Sequence, residues 1–355
     1  MRILQIVPTL GYGGIAQMVL NYYKNINRSN IIFDFVTHGK EEDFHKELKE
    51  KGSNIYYVGN IRKVGLNNYF RKMKNIFKGG KYEIIHFHTG GIRLLLLPIA
   101  RKYGVKKLLV HAHSTKVDKY PNWFWKLWTV HFATHLVACG EEAGRAMFGK
   151  DAFTIIPNAV NLNDFIHHND SEQLKAELGI KQGTIVLGHV GVFIAQKNQI
   201  FICKLLKKIS DKNMDFKMIF IGDGQQKSEI EQYARSLNIS EKIIFTGRRN
   251  DVNRFMAIFD LFLLPSLYEG LPVVGIEAQV SGCHCLFSTN ITREVDLGLG
   301  TTKFLELSDE DEWIKQILEN TNYREIMDAD FIQRLERSEY NIKVSVEKLE
   351  RLYGV

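Results

Sequence analysis

LFLLPSLYEGLPVVGIEAQ, residues 261–279, holds three kinds of local signal in nineteen positions. Leu261–Ser266 is a short apolar run, long enough for a buried strand and too short for a helix. Gly270-Leu271-Pro272 then breaks the run and turns the chain. Backbone N–H groups in Gly-Leu-Pro-Val-Val sit near a helix start, and Glu277 lies inside that helix. Strand, loop and helix in this order make one βα unit. Two carboxylates, Glu269 and Glu277, flank seven uncharged residues. In a continuous helix that separation spans about 12 Å on a similar face. The turn shortens the path and lets both carboxylates look into one cleft.

The same unit recurs outward in both directions. TIVLGHVG (184–191), FKMIFIGDG (216–224) and KIIFTG (242–247) each precede a helix, and CHCLFS (283–288) is a further strand. The first half has strands at MRILQIV (1–7), FDFVTH (33–38), IYYVG (55–59), EIIHFH (83–88), KLLVHAH (107–113), HLVACG (135–140) and FTIIPNAV (153–160). Helices are expected over 15–27, 42–51, 66–79 and 91–103, and from about 141. Short strands alternating with helices indicate parallel sheets built from βαβ units. A polar break near residues 161–175, without strand or helix periodicity, divides the chain into two doubly wound domains. The expected domains are residues 1–165 and residues 166–339. A last helix, about 340–355, carries Ile342, Val346, Leu349 and Tyr353 on one stripe and is expected to return to the first domain. Such sheets bind ligands at the carboxyl ends of their strands, and two facing domains would place a cleft there.

Composition agrees with a folded α/β protein: 355 residues, 45% hydrophobic and 25% charged. Four cysteines are too few and too unevenly spaced for a disulfide framework, which fits a reducing, cytoplasmic compartment. Cys283-His284-Cys285 has no second cysteine pair and reads as buried packing. The apolar run LLLLPIA (94–100), flanked by Arg93 and Arg101, is far below the roughly 20 residues of a membrane span. The amino-terminal MRILQIVPTL runs into GYGG rather than a small-residue cleavage site, so it reads as a first strand and not a signal peptide. Charge is uneven. Residues 1–165 hold 24 Lys and Arg against 12 Asp and Glu; residues 166–355 hold 23 against 28. Residues 61–126 hold 15 against 2. A basic half attracts polyanions, including an anionic membrane surface. The acidic second half and the lack of any nucleic-acid motif argue against a nucleic-acid partner.

Several loops could carry chemistry. GYGGIAQ (11–17) joins the first strand to the first helix and brings Gly13 and Gly14 to a helix start, where backbone can approach a ligand. It is neither a P-loop nor a complete dinucleotide fingerprint. His86-x-His88 and His111-x-His113 are pairs at strand spacing, each pair on one sheet face. Four such histidines could hold a metal, but no matching carboxylate lies nearby in sequence, so no metal is expected. Lys197 sits where a strand ends and a helix begins, a setting that suits a diphosphate. KYPNWFWKLWTVHF (119–132) places Trp123, Phe124, Leu127, Trp128 and Phe132 along a helical stripe. It fits a membrane-surface helix, a core helix, or the wall of a cleft for an apolar acceptor.

With these residues in place the sequence resembles the retaining glycosyltransferases of the GT-B fold, family 4, over nearly its whole length. The resemblance rests on Gly13-Gly14, His113 in HAHS, IPNAVN (156–161), QKN (196–198), GDG (222–224), PSLYEGLPVVGIEAQ (265–279) and STNITREV (288–295). It implies sugar transfer from a nucleoside diphosphate sugar, UDP being the expected nucleotide, to a glycan or lipid-linked acceptor in cell-surface polysaccharide synthesis. It implies no metal and no cofactor. Glu269 would contact donor-sugar hydroxyls, Glu277 the ribose, and Lys197 the diphosphate. Gly270, Leu271 and Val273 would offer N–H groups. Arg248 and Asn250 would lie near the base. Gly13 and Gly14 would admit phosphate and acceptor, and His113 would line the reaction centre. One position departs from the pattern: Val192 stands where the family usually has a diphosphate-binding arginine. Losing such a contact costs on the order of 2–4 kcal/mol in the transition state. Arg248, Arg249 and Arg293 are candidates to compensate. A non-catalytic partner subunit and a nucleotide-sugar epimerase are the alternatives this leaves.

Overall fold

The structure, a computed structural model, describes all residues except 12, 41–43, 116–121, 167–169 and 320–328. The chain forms two compact units, Met1–Ala159 with Ile342–Val355, and Val160–Asn341. The first is built on β1 (Arg2–Val7), β2 (Ile32–Thr37), β3 (Ile55–Tyr57), β4 (Ile84–Phe87), β5 (Lys107–Ala112), β6 (His135–Ala138) and β7 (Thr154–Ile155). Their order is β3-β2-β1-β4-β5-β6-β7, paired in parallel. The second has β8 (Ile185–Val190), β9 (Phe216–Ile221), β10 (Ile243–Gly247), β11 (Leu261–Leu264), β12 (His284–Ser288) and β13 (Thr302–Leu305) in the order β10-β9-β8-β11-β12-β13, again parallel. The α/β class with two doubly wound sheets is thus as expected. Central strands such as β1 and β11 are buried almost throughout, because helices cover both faces of a parallel sheet.

The C-terminal helix, Ile342–Tyr353, packs on the first unit. Its stripe of Ile342, Val346, Leu349 and Tyr353 joins one core cluster with Met18, Val19, Tyr22 and Phe33. Polar contacts fix its end. Lys107 Nζ donates to the carbonyls of Leu352 (3.3 Å) and Tyr353 (2.9 Å), a cation at the carbonyl-rich end of a helix. Within the sheet, burial alone would raise the Asp34 carboxyl. Hydrogen bonds from Arg2, the Asn54 N–H (2.8 Å) and Tyr82 (2.7 Å) outweigh that and hold it below its ordinary range.

Several expected boundaries shift for physical reasons. Residues 160–165 belong with the second unit, where the Val160 N–H donates to the Tyr340 carbonyl at 2.9 Å. The break near 161–175 holds two short helices, Asn163–Ile166 and Ser171–Glu177, too short to show a period. The seventh strand stops at Ile155, two residues before Pro157, which has no N–H to give a ladder. The helix expected over 91–103 starts as a 3₁₀ turn, Gly91–Leu95, and becomes α only over Leu96–Lys102. Pro98 cannot donate to the Leu94 carbonyl four residues back. The Trp128 indole donates to that carbonyl instead, at 2.9 Å. The edge strand β13 has no counterpart in the sequence reading; Thr-Lys-Phe-Leu is short and half polar.

Candidate functional site

In the second unit the strand order reverses beside β8, whose neighbours are β9 and β11. Loops leaving the carboxyl ends of β8 and β11 therefore meet at a topological switch point, where open α/β sheets hold ligands. The loop after β8 carries Lys197 and the loop after β11 carries Glu269. Several contacts strap the loops together. The Leu267 N–H donates to the Gln196 carbonyl (2.8 Å), Gln196 Nε2 to the Tyr268 carbonyl (2.9 Å) and Asn198 Nδ2 to the Pro265 carbonyl (3.2 Å). Lys197 Nζ reaches Glu269 Oε1 at 2.6 Å, with both side chains largely buried. Asn198 takes a left-handed conformation (φ 55°) to start the next helix, a role asparagine tolerates well.

The glycines of Gly222-Asp223-Gly224 are there for space. A Cβ on Gly222 (φ 140°) would stand 2.0 Å from the Gly191 carbonyl oxygen, and one on Gly224 would stand 2.5 Å from that of Phe193. Their absence lets the β9 loop press on the β8 loop: the Phe193 N–H donates to the Asp223 carbonyl at 3.0 Å. Behind the loop, His189 Nδ1 bonds the Leu263 carbonyl (2.8 Å) and burial lowers its imidazole to about 3.

The helix after β11, Val273–Val280, has Pro272 at its cap and no capping side chain. Glu277 lies one turn in and is buried. Burial pushes its carboxyl up to about 7. Two positions on, Gln279 donates to the carbonyls of Gly275 (2.9 Å) and Val295 (2.7 Å) and accepts from the Leu297 N–H (2.9 Å), tying the 292–297 loop to this helix. Arg248 and Asn250 are exposed past β10, with Arg248 Nε 3.8 Å from Asp223. Arg249 is held bidentately by Asp251 (2.6 and 2.8 Å), and Arg293 lies over the Phe304 ring at 3.9 Å. Val192 is 38% exposed. Of the three arginines considered as substitutes, Arg248 is the one tied to the loop that Val192 occupies, through Asp223.

The first unit has its own switch point, between β1 and β4. Gly13 and Gly14 are exposed at the start of the first helix, which no side chain caps. Beside them lies a cavity of about 250 Å³ lined by Pro8, Thr89, Arg93, His113, Trp125 and Lys126, among others. Four imidazoles stack on and just past β4 and β5, His88, His111 and His113 among the cavity's lining: ring centroids are 4.2 Å apart for His86 and His88, and 4.1 Å for His111 and His113. Their hydrogen bonds define tautomers. Gln5 Nε2 donates to Tyr353 Oη (3.1 Å), so Gln5 Oε1 accepts from His88 Nε2–H (2.9 Å). Neutral His88 then accepts at Nδ1 from His113 Nε2–H (2.9 Å). His113 is left with an unprotonated Nδ1 that has no partner among the described residues. Burial lowers His113 to about 3, so it is neutral at physiological pH. Ring nitrogens of His86, His88 and His111 come within 4.8 Å of one another. However, the His86 and His111 rings lie 8° from parallel, and in-plane lone pairs on stacked rings do not converge on one point.

Lys197 and Glu269 are thus brought together, and Glu277 lies on the adjoining helix. His113, Gly13 and Gly14 belong to the other unit. Gln196 entered the sequence reading only within the QKN motif, and Gln5, Thr89, Arg93 and Lys126 were given no role at a site. A signal existed for Thr89: Thr89-Gly90-Gly91 follows a strand end, as Gly13-Gly14 does.

Residues 170–328 match the family Glycosyl transferases group 1, and residues 12–164 match Glycosyltransferase Family 4. A Bacillus subtilis (strain 168) protein named as glycosyltransferase EpsF is 33% identical over 323 residues, 87% of this chain and 84% of its own. The Escherichia coli UDP-Gal:alpha-D-GlcNAc-diphosphoundecaprenol alpha-1,3-galactosyltransferase is 25% identical over 99% of this chain and 95% of its own. Among solved structures, Anabaena HepE in complex with UDP and glucose superposes with a TM-score of 0.81 at 17% identity, covering both chains fully. That last likeness is one of fold.

Proposed function

The chain belongs to the family 4, group 1 glycosyltransferases with the GT-B fold, and from that premise we propose that it transfers a sugar from UDP-sugar to a glycan or lipid-linked acceptor, with retention and without a metal. The observation that carries this reading is the β8–β11 switch point, where the Lys197–Glu269 pair stands before an uncapped helix start whose helix carries the buried Glu277. Lys197 and Glu269 hold each other. An arriving diphosphate would compete for Lys197, and the released Glu269 would accept hydrogen bonds from sugar hydroxyls. Glu277 would take the ribose hydroxyls. N–H groups at Gly270, Leu271 and Val273 would face phosphate or sugar oxygens, and Arg248 and Asn250 would lie near the base.

In the reaction the bond between sugar C1 and the diphosphate oxygen breaks. The acceptor hydroxyl oxygen bonds C1 on the same face, and its proton leaves with the diphosphate. Lys197, helped by Arg248 in place of the arginine that Val192 replaces, stabilises the departing charge. Removing Lys197 is expected to lower kcat on the order of 10²–10³-fold.

A thermal-shift screen of UDP-, GDP-, ADP- and dTDP-sugars tests the donor, because a ligand stabilises as its concentration exceeds Kd. UDP-sugars should raise Tm most, and Glu277→Ala should abolish the shift. No shift with any of the four would refute the reading. EDTA should leave turnover unchanged.

Membrane contact is part of the proposal. On the helix Asn122–Phe132 the aromatic stripe divides: Phe124, Trp128 and Phe132 stack with one another, while Trp123 and Leu127 are 65% and 60% exposed. Residues 119–121 lie outside the described residues. Among the described residues no helix is long and apolar enough to cross a membrane. Flotation with anionic liposomes should carry the protein, and Trp123→Ser with Leu127→Ser should release it.

A further inference from the structure

A buried chain of hydrogen bonds runs from the last turn of the C-terminal helix to His113. Tyr353 Oη donates to His86 Nδ1 (2.9 Å) and accepts from Gln5 Nε2 (3.1 Å). Gln5 Oε1 accepts from His88 Nε2–H (2.9 Å), and His88 Nδ1 accepts from His113 Nε2–H (2.9 Å). Gln5, His86, His88 and Tyr353 are all buried, and Met18, Val19, Phe33 and Leu349 around them are apolar. Tyr22, the other hydroxyl beside them, donates to the Pro157 carbonyl (2.8 Å). One member gives the chain its direction. A neutral imidazole can pass a hydrogen bond on either way, because its proton can sit on either nitrogen. The amide of Gln5 keeps its N–H and its oxygen on different atoms. With N–H on Tyr353 and oxygen on His88, it leaves the Nδ1 of His113 bare, and that nitrogen has no partner among the described residues. Burial lowers His113 to about 3, so the ring stays neutral.

We infer that Gln5 is a positioning residue for the transfer reaction: held by Tyr353, its amide keeps His113 Nδ1 unprotonated, so that His113 accepts a hydrogen bond from a hydroxyl of the bound sugar. The inference rests on the glycosyltransferase reading, which puts His113 at the reaction centre, and it adds Gln5, His88 and Tyr353 to the residues that act on that centre. The direction of the bond matters to the chemistry. A hydroxyl that donates leaves its oxygen richer in electrons. Such an oxygen on the sugar stabilises the positive charge that builds at C1 as the diphosphate departs. An N–H in the same place would draw electrons from that oxygen and oppose the step.

Proton–nitrogen NMR of the histidine rings in full-length protein tests this beside a transfer assay with UDP-sugar and a prenyl-diphosphate-linked sugar. His113 signals are assigned by their loss in His113→Gln. Wild type should show His113 protonated at Nε2 and bare at Nδ1. Gln5→Leu leaves His88 Nε2 without an acceptor, so His88 and then His113 should carry their protons on Nδ1. Its kcat should fall on the order of tenfold with KM little changed. Tyr353→Phe lets the Gln5 amide turn either way. It should give a mixture of the two His113 tautomers and a smaller fall in kcat, and it answers the same question should Gln5→Leu not fold. Lys107→Met loosens the same helix end, since Lys107 Nζ bonds the carbonyls of Leu352 and Tyr353, but leaves the chain intact. It should lower Tm and change neither the tautomer nor kcat. A protonated Nδ1 in wild-type His113 would overturn the inference. So would a tautomer unmoved in the folded variants, a reversed tautomer with kcat unchanged, or an equal fall in kcat with Lys107→Met. If wild type transfers no sugar while His113 reverses as described, the glycosyltransferase reading falls and the direction set by Gln5 stands.

Discussion

Glu277 is a carboxyl whose charge depends on what lies against it. Burial raises it to about 7 from an ordinary 4.5. The folded protein therefore holds a proton that the unfolded chain releases in that window. Stability falls as pH rises from 4.5 to 7, and the full cost, up to about 3 kcal/mol, is present above 7. Glu277→Gln should thus raise Tm at pH 8 and change it little at pH 4.5. A ribose donating two hydrogen bonds favours the charged form. UDP binding at pH 7 should then release roughly half a proton, seen as a dependence of binding enthalpy on buffer ionisation heat. No such dependence would remove Glu277 from the nucleotide site. Glu269 and Glu277 were legible because their spacing and the Gly-Leu-Pro turn are local. Gln5 was not, because its meaning comes from strand order: it touches a histidine 83 positions away and a tyrosine 348 away.

At the scale of elements, β4, β5 and the C-terminal helix form one polar-lined joint. Tyr353 Oη accepts from Gln5 and donates to His86 Nδ1 (2.9 Å). Tyr353→Phe leaves both without that partner and should cost about 1–3 kcal/mol in urea unfolding. The stacked imidazoles are neutral when folded. Burial, and then their neighbours' charges, hold His86, His88 and His111 well below 6.5. The unfolded chain protonates them first, so stability is full above pH 6.5 and is lost as pH falls below it. Acid unfolding should begin near pH 6, before the carboxylates titrate. His111→Phe removes one of these buried neutral imidazoles and should move the acid midpoint to lower pH. The period of the last helix was readable in the sequence because its apolar stripe is regular. The histidine stack was readable as two pairs, but not as one stack, since adjacency of β4 and β5 is a tertiary fact.

Over the whole molecule, the repeated strand–helix rhythm predicts two doubly wound sheets, and the structure has them, because a parallel sheet needs long crossovers that leave a clear pattern. Boundaries moved where a proline or a two-residue strand carried too little signal, as at Pro98 and Ile155. Each sheet gathers its chemistry at its own switch point: cations with carboxylates in the second unit, and cations with a tautomer-fixed imidazole in the first. The activity proposed for the protein is sugar transfer from UDP-sugar. Its most direct test is to incubate the full-length protein and its Glu269→Gln variant with labelled UDP-sugar and a prenyl-diphosphate-linked sugar, then to analyse every product. Wild type should give a labelled glycolipid of retained anomeric configuration and released UDP, and the variant a loss on the order of 10²-fold or more. Intact UDP-sugar, a donor epimerised without acceptor, or a variant as active as wild type would contradict it.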